Sequence, residues 1–417
     1  MFLLTKNIEK YLPIILITVY LFLLINKLDS LPLFVGDEAV YTSSVEGLIS
    51  GFVDNNNHPL LAKEIWAFFV YLVRGYFGIE SVFFWRVGTV IFSIVSLVVF
   101  FKILRLFFTK KISYLGTLIL ALDPMYFAFS RIVMLDIISL SLGLSSLYFL
   151  LKFLKSKTKK DLINGGIFIG LSLAAKMAAL SLVLLLPIYL GLILKKSKKF
   201  LPAILYFLAS IILGFCLGNF IYFLLPHKIA FISYVSEIFS SQLNLPEESS
   251  LTSTPLSWFT IPQVLTLFRI VYKDGVRAVL AFQNPLIFLF TIPAIFVTSL
   301  LLIKRKVKLA SETLLILLFF LAQFFPWFLG LHPTYYFYVI PLTPLSIILI
   351  LKLINLLALR RLLYPLLIVF SLAVFILYYP LLTGIKIPKK YEKILFSYSQ
   401  YNFPPKNAIF CQKCSPR

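Results

Sequence analysis

The chain has 417 residues, 60% of them hydrophobic and 13% charged, where a soluble domain carries about a quarter charged residues. It holds 39 Lys and Arg against 17 Asp and Glu, a net charge of +22, and only three cysteines. These figures exclude an ordinary globular enzyme and a disulfide-built scaffold, and because the cations sit between apolar runs, the basic excess reports membrane topology and not nucleic acid.

Apolar runs long enough for a membrane helix recur along the sequence. They predict about eleven transmembrane helices, at 11–30, 83–101, 112–129, 132–151, 162–176, 178–194, 200–225, 284–303, 309–331, 335–354 and 362–383. The first run has no small-residue cleavage site and reads as a retained anchor. Six basic clusters, around Lys6, Lys102, Lys155, Lys195, Lys304 and Arg360, hold 22 of the 39 cations. With eleven spans and a cytoplasmic N-terminus, all six fall on the cytoplasmic face, as the positive-inside rule requires. Lys386, Lys389, Lys390 and Lys393 then land outside. Either this tail is an exception, or one of the short runs around 162–194 does not cross.

Two outward loops are long enough to hold chemistry. The first, about 31–82, contains Asp37, Glu38, Glu46, Asp54, Glu64 and Glu80, and its stretches 39–53 and 64–77 suit helices lying in the interface. The second, about 226–283, is polar and aromatic, with Trp258 and the cations Arg269, Lys273 and Arg277. No repeat or soluble domain is evident. The expected organisation is one all-α polytopic membrane domain over 1–383, followed by a short tail over 384–417.

In chain order, the first candidate for chemistry is Asp37-Glu38 in PLFVGDEAVY. A carboxylate at the water boundary beside a membrane cavity suits a general base for an acceptor hydroxyl; the alternative is a solvated loop acid. His58-Pro59-Leu60-Leu61-Ala62-Lys63 either fixes a loop and aims a cation at an anionic group, or is an interfacial turn with a snorkelling lysine. Arg86 in FFWRVGTVIF and Lys176 in GLSLAAKMAAL are cations within apolar stretches. Such residues cost about 2.5–3.5 kcal/mol to insert and usually face a partner or cavity. A lipid-linked phosphate would pair with both, whereas Arg86 is also read as a helix-end cation reaching the headgroups. Arg131 and Asp136 in SRIVMLDIISL are about 140° apart on a helix, so each needs another partner, with an interhelical salt bridge expected for both. Three histidines without metal-site spacing give no metal centre, and no cofactor is expected. Cys411 and Cys414 form one C-x-x-C, which reads as a local disulfide or as inert, and Cys216 reads as a buried apolar residue. No phosphate-binding glycine loop is present, so any transfer draws its energy from the substrate.

Taken together, GDEAVY, NHPLLAK, FFWR, SRIVMLD, LSLAAKM, STPLSWFTIP, AFQNPLIF and FFPWFLGLHPTYYFYVIPLTP resemble, in order, the protein O-mannosyltransferase family. The resemblance implies a C-type glycosyltransferase fold. It implies transfer of mannose, with inversion, from polyprenyl or dolichyl phosphate to a Ser or Thr hydroxyl of a protein. Asp37 would be the general base, Glu38 would assist at the acceptor, and Arg86 and Lys176 would hold the lipid phosphate. His58 and Lys63 would belong to the first-loop motif. The β-trefoil insertion of the eukaryotic second external loop is absent, and the arginine preceding the Tyr-Tyr segment is not evident. These departures bear on the acceptor more than on the donor. Related enzymes resembling aminoarabinose transferases share the fold and modify lipids or glycans. Partners would be the lipid-linked sugar, the acceptor and membrane lipids, with a dimer compatible. The membrane would be the plasma membrane in a prokaryote, with the site facing out, or the endoplasmic reticulum in a eukaryote. A lipid-linked sugar transporter is the competing class, but no inverted repeat or pair of broken helices supports it.

Overall fold

A computed structural model describes residues 2–31, 34–53, 57–79, 81–194, 200–224, 230–243, 252–304, 312–330 and 333–396. The chain opens with α1 (Phe2–Ile25). The first outward loop then folds into α2 (Glu38–Ile49) and α3 (Leu61–Phe77), tied by a two-pronged ion pair from Arg74 to Glu46 at 2.7 and 2.9 Å. Helix α3 buries Trp66 and Val70 on one side and exposes Phe68, Tyr71, Tyr76 and Phe77 on the other, the division of an interfacial helix. The long α4 (Val82–Arg105) starts at Ser81, whose hydroxyl accepts from the Phe83 N–H.

The apolar run at 112–129, expected as one span, is broken into α5 (Lys110–Ala121) and α6 (Pro124–Phe129). Pro124 has no N–H and pushes the residue before it into extended backbone. Asp123 adopts that conformation and caps the new helix by accepting from the Tyr126 N–H at 2.8 Å. Then follow α7 (Leu135–Ser156) and α8 (Lys159–Ala175), an extended residue at Lys176, α9 (Leu180–Leu194), α10 (Phe200–Leu217) and α11 (Phe231–Leu243). Helices α8 and α10 approach at backbone distance. A Cβ at Gly170 would lie 2.1 Å from the Ile211 carbonyl oxygen, and one at Gly214 2.2 Å from that of Ile167. Only glycine permits this crossing.

The second outward loop contains the one two-stranded sheet among the described residues. β1 (Leu265–Val271) pairs antiparallel with β2 (Val276–Ala281). The strands join through residues 272–275, with Lys273 and Asp274 at the bend and the Tyr272 N–H donating to the Gly275 carbonyl at 2.8 Å. After the hairpin come α12 (Pro285–Ile303), α13 (Glu312–Phe324), α14 (Thr343–Leu356), α15 (Arg360–Thr383) and α16 (Lys389–Phe396).

Six helical segments, beginning at Val82, Leu135, Phe200, Pro285, Glu312 and Arg360, are long and apolar enough to cross a membrane, and three shorter apolar helices accompany them. The protein is a multi-pass integral membrane protein. Its basic ends gather on one face: Lys155 donates to the Leu106 carbonyl, and the Lys352 ammonium stands 4.4 Å from the Phe107 ring and bonds Thr313. The tail leaves α15 at the opposite end, where Ile387 pairs with Val276 of the hairpin. The tail lysines therefore lie with the outward loops, an exception to the charge pattern. Cys411 and Cys414 lie outside the described residues, and Cys216 is half-buried where a buried residue was expected.

Candidate active site

The site is assembled at the end of the bundle opposite the basic face, from the start of α2, the turn before α7, the break after α8 and residues 325–339. Its foundation is a buried ion pair. Glu38 and Arg86 are 0% and 2% exposed. Arg86 donates through Nε and Nη2 to the two carboxylate oxygens at 2.9 and 2.8 Å, and through Nη1 to the Leu28 carbonyl at 2.6 Å. The N–H groups of Val35 and Val133 complete the carboxylate, at 2.6 and 2.7 Å. Thus the turn after α1, the first loop, α4 and the turn before α7 share one polar knot. This corrects one expectation: Arg86 is not a helix-end cation reaching the headgroups, because its guanidinium is enclosed and paired with Glu38. The Glu38 carboxylate is itself enclosed. Two ions this deeply buried persist only when paired and fully hydrogen-bonded.

The same knot fixes Asp37. It occupies the N-cap position of α2, yet its side chain makes no capping hydrogen bond, so the helix does not consume the carboxylate. Solvent reaches Asp37, but the surrounding protein disfavours the charged form and raises the carboxyl above its ordinary 3.8; nearby Lys176 pulls it down, and Asp136 pushes it up.

Lys176 stands at the extended residue that ends α8. Its Nζ donates to Asp136 Oδ1 at 2.6 Å and lies 5.1 and 5.0 Å from the rings of Phe337 and Tyr338. The expected interhelical salt bridge of Asp136 is therefore made, with Lys176 as its partner. Asp136 Oδ2 is buried and has no hydrogen-bond partner among the described residues, an arrangement that costs about 1–3 kcal/mol if nothing binds there. Arg131 forms no salt bridge among the described residues. It donates to the carbonyls of Leu23, Leu24 and Lys27 at the C-terminal end of α1, where a cation also meets the negative end of the helix.

His58 and Lys63 fix the loop before α3. Lys63 is completely buried, and its Nζ donates to the His58 carbonyl at 3.0 Å; the snorkelling alternative is excluded by that burial. The His58 ring lies 6.1 Å from Tyr41.

A cleft with about 600 Å³ of atom-free space, part of it open to the outside, runs from Asp136 and Lys176 past Ser139, Gln323, Trp327 and Tyr338 towards apolar residues of α7 and α14. Trp327 stacks on Tyr338 with ring centres 4.1 Å apart. The second loop closes this wall: Ser253 N–H donates to the Thr334 carbonyl at 2.8 Å, and buried Trp258 packs edge-on against Tyr338. Gln323, Trp327 and Tyr338 were not singled out by the sequence, since their signal lay only in the aromatic Pro-Trp and Tyr-Tyr segment. Among the described residues no cluster of three His, Cys, Asp or Glu is arranged to hold a metal.

Glu64 was also overlooked. It accepts from the Ile221 N–H at 3.2 Å, and burial pushes its carboxyl up to about 8. The folded protein therefore keeps a proton on Glu64 that the unfolded chain releases above its ordinary 4.5. That proton uptake erodes stability as pH rises from about 4.5 to 8. Glu64→Gln removes the penalty, so its thermal unfolding midpoint should exceed that of wild type at pH 8.5 and match it at pH 4. Equal midpoints at both pH values would disprove the raised carboxyl.

The model of the dolichyl-phosphate-mannose-protein mannosyltransferase family matches residues 57–222. No curated protein matches the chain by sequence. The fold is similar to that of the S. cerevisiae protein O-mannosyltransferase Pmt1-Pmt2 complex bound to the sugar donor, with TM-score 0.74, 12% identity, and coverage of 95% of this chain and 92% of that one. It is also similar to ArnT from Cupriavidus metallidurans in the apo state, with TM-score 0.63, 12% identity, and coverage of 90% and 77%. The same enzyme bound to undecaprenyl phosphate gives TM-score 0.57 at 13% identity, again covering 90% and 77%. The chain thus has the fold of the C-type membrane glycosyltransferases, and its segment 57–222 matches the protein mannosyltransferase family.

Proposed function

We propose that this protein transfers mannose, with inversion, from a polyprenyl phosphate to the hydroxyl of a protein Ser or Thr. The observation that carries the reading is the Lys176–Asp136 ion pair lining an apolar cleft, with Asp136 Oδ2 left without a partner among the described residues and the uncapped Asp37 carboxyl shifted by both charges. Asp37 takes the proton from the acceptor hydroxyl, whose oxygen bonds the anomeric carbon. The bond from that carbon to the phosphate oxygen breaks, and its electron pair leaves with the lipid phosphate. Lys176 has three N–H donors, one directed at Asp136, and meets the developing phosphate charge with another. In a poorly hydrated cleft this pairing is far stronger than in water. The unpartnered Asp136 Oδ2 accepts from a donor hydroxyl. Glu38 and Arg86 touch no substrate and position the base. Undecaprenyl phosphate in the fold's Cupriavidus relative supports a polyprenyl donor.

The test uses labelled mannosyl polyprenyl phosphate in membranes containing the full chain, following label into protein, lipid and glycan fractions. Label in protein, lost in Lys176→Met, supports the proposal. Label only in lipid or glycan would replace the acceptor with that of the ArnT-like reading, and label that stays on its lipid would end the enzymatic one. Lys176→Met should weaken polyprenyl phosphate binding roughly 10- to 100-fold, the worth of one charged hydrogen bond. Lys176→Met/Asp136→Asn provides the same measurement without leaving an isolated buried charge; unchanged affinity in it would remove Lys176 from the phosphate.

A further inference from the structure

The tail lysines run against the positive-inside trend, and their setting gives a reason. Helix α15 has 24 residues, long enough at about 1.5 Å per residue to cross the roughly 30 Å apolar core, so Gly384 marks the membrane boundary. Arg277 of β2 donates through Nε to the Gly384 carbonyl at 2.7 Å, which sets the hairpin turn at that same level. Val279 of β2 packs against Leu31 and Val35 of the first outward loop, so this boundary is the outer one.

Residues 269–277 and 386–391 carry six cations against one acid. Lys273, Lys389 and Lys390 are exposed, and Lys386 bridges to Asp274 at 2.6 Å, fastening tail to turn. Apolar side chains are exposed among them: Val271 and Tyr272 at the turn, Tyr391 and Ile394 on α16. Along α16, Ile394, Tyr391 and Leu395 fall within one arc of about 100°. Leu395, at one edge of the arc, is buried against Val276, Leu280 and Leu381, while Ile394, at the other edge, points away beside Lys390. A short helix with a half-docked apolar arc, bordered on its exposed edge by Lys390 and carrying Lys389 on its far side, lies flat at a lipid interface.

We infer that the hairpin turn and α16 form an outer-leaflet docking surface for anionic phospholipid headgroups, with Ile394, Tyr391 and Val271 entering the acyl boundary and Lys273, Lys389 and Lys390 gripping the phosphates. Each lysine near an anionic surface adds to the attraction, and salt screens it. The surface is independent of the proposed reaction.

Hydrogen exchange of the full chain in nanodiscs tests the inference. Amides of residues 384–396 should exchange about tenfold more slowly in phosphatidylglycerol discs than in phosphatidylcholine discs, with the difference erased by high salt and by Lys389→Gln/Lys390→Gln. Ile394→Ser should lower protection in both lipids, and strand amides at 276–281 serve as the folding control. Equal exchange in the two lipids overturns the proposal. So does slowing in neutral discs by an acidic peptide such as polyglutamate without any effect of phosphatidylglycerol, which would make the surface a contact for acidic acceptors.

Discussion

Asp37→Asn should lower sugar transfer by about 10²- to 10⁴-fold, the usual contribution of a positioned base, while thermal stability and donor binding stay at wild-type values. Asparagine keeps the shape of the side chain. The Glu38–Arg86 and Lys176–Asp136 pairs, which hold the site together, do not use Asp37. Incorporation of labelled sugar, binding of polyprenyl phosphate and an unfolding curve separate the three quantities. Full transfer activity in this variant would eliminate Asp37 as the base. A pH profile adds a check that a structural role would not move. Asp37 works only when ionised, and burial raises its carboxyl, so the acid limb of kcat/KM should lie above the ordinary aspartate value. Lys176 favours the ionised form and Asp136 opposes it. Lys176→Met should therefore move the limb to higher pH, and Asp136→Asn to lower pH.

Arg86→Met should destabilise the protein by about 3–5 kcal/mol, because it leaves the Glu38 carboxylate buried without its counter-ion. Glu38 is wholly enclosed and reaches the turn after α1, the first loop, α4 and the turn before α7 through its own bonds and those of Arg86. The loss should appear as a large fall in unfolding midpoint and poor recovery of folded protein in detergent. Glu38→Gln/Arg86→Met, which removes both charges, should recover much of it. An Arg86 that served the donor phosphate would behave differently: affinity would fall while the fold stayed intact. That result would restore the role the sequence suggested.

The contrast between Arg86 and Lys176 shows where sequence reading stops. Both are cations within apolar stretches, and the insertion cost that singles them out is the same for each. What separates them is the partner. Arg86 meets a carboxylate from 48 positions earlier with all its geometry satisfied, whereas Lys176 meets Asp136 across a cleft and leaves one carboxylate oxygen without a partner. Arg131 and Asp136 illustrate the same limit: the 140° separation assumed one helix, but Arg131 lies in the turn before α7, and only the folded chain supplied the carbonyls at the end of α1 for one and Lys176 for the other. Pro124, by contrast, announces its helix break in the sequence, and the polar Lys273-Asp274-Gly275 stretch between β-branched runs signals the hairpin that a reading by charge passed over.

Of the eleven expected spans, six helices long enough to cross and three shorter apolar ones stand among the described residues. By itself the sequence determined that the chain inhabits a membrane, that it is mostly helical, and that an acid pair stands just past the first apolar run. Each of these follows from local hydropathy, charge and backbone chemistry, which do not depend on distant residues. The tertiary structure alone decided which acid of that pair is enclosed and which is open to solvent, which cation lines the cleft, and that the tail returns to the hairpin. Those outcomes depend on burial and on partners far apart in the chain, and desolvation turns a charge into either a structural tie or a reactive group according to what it meets there.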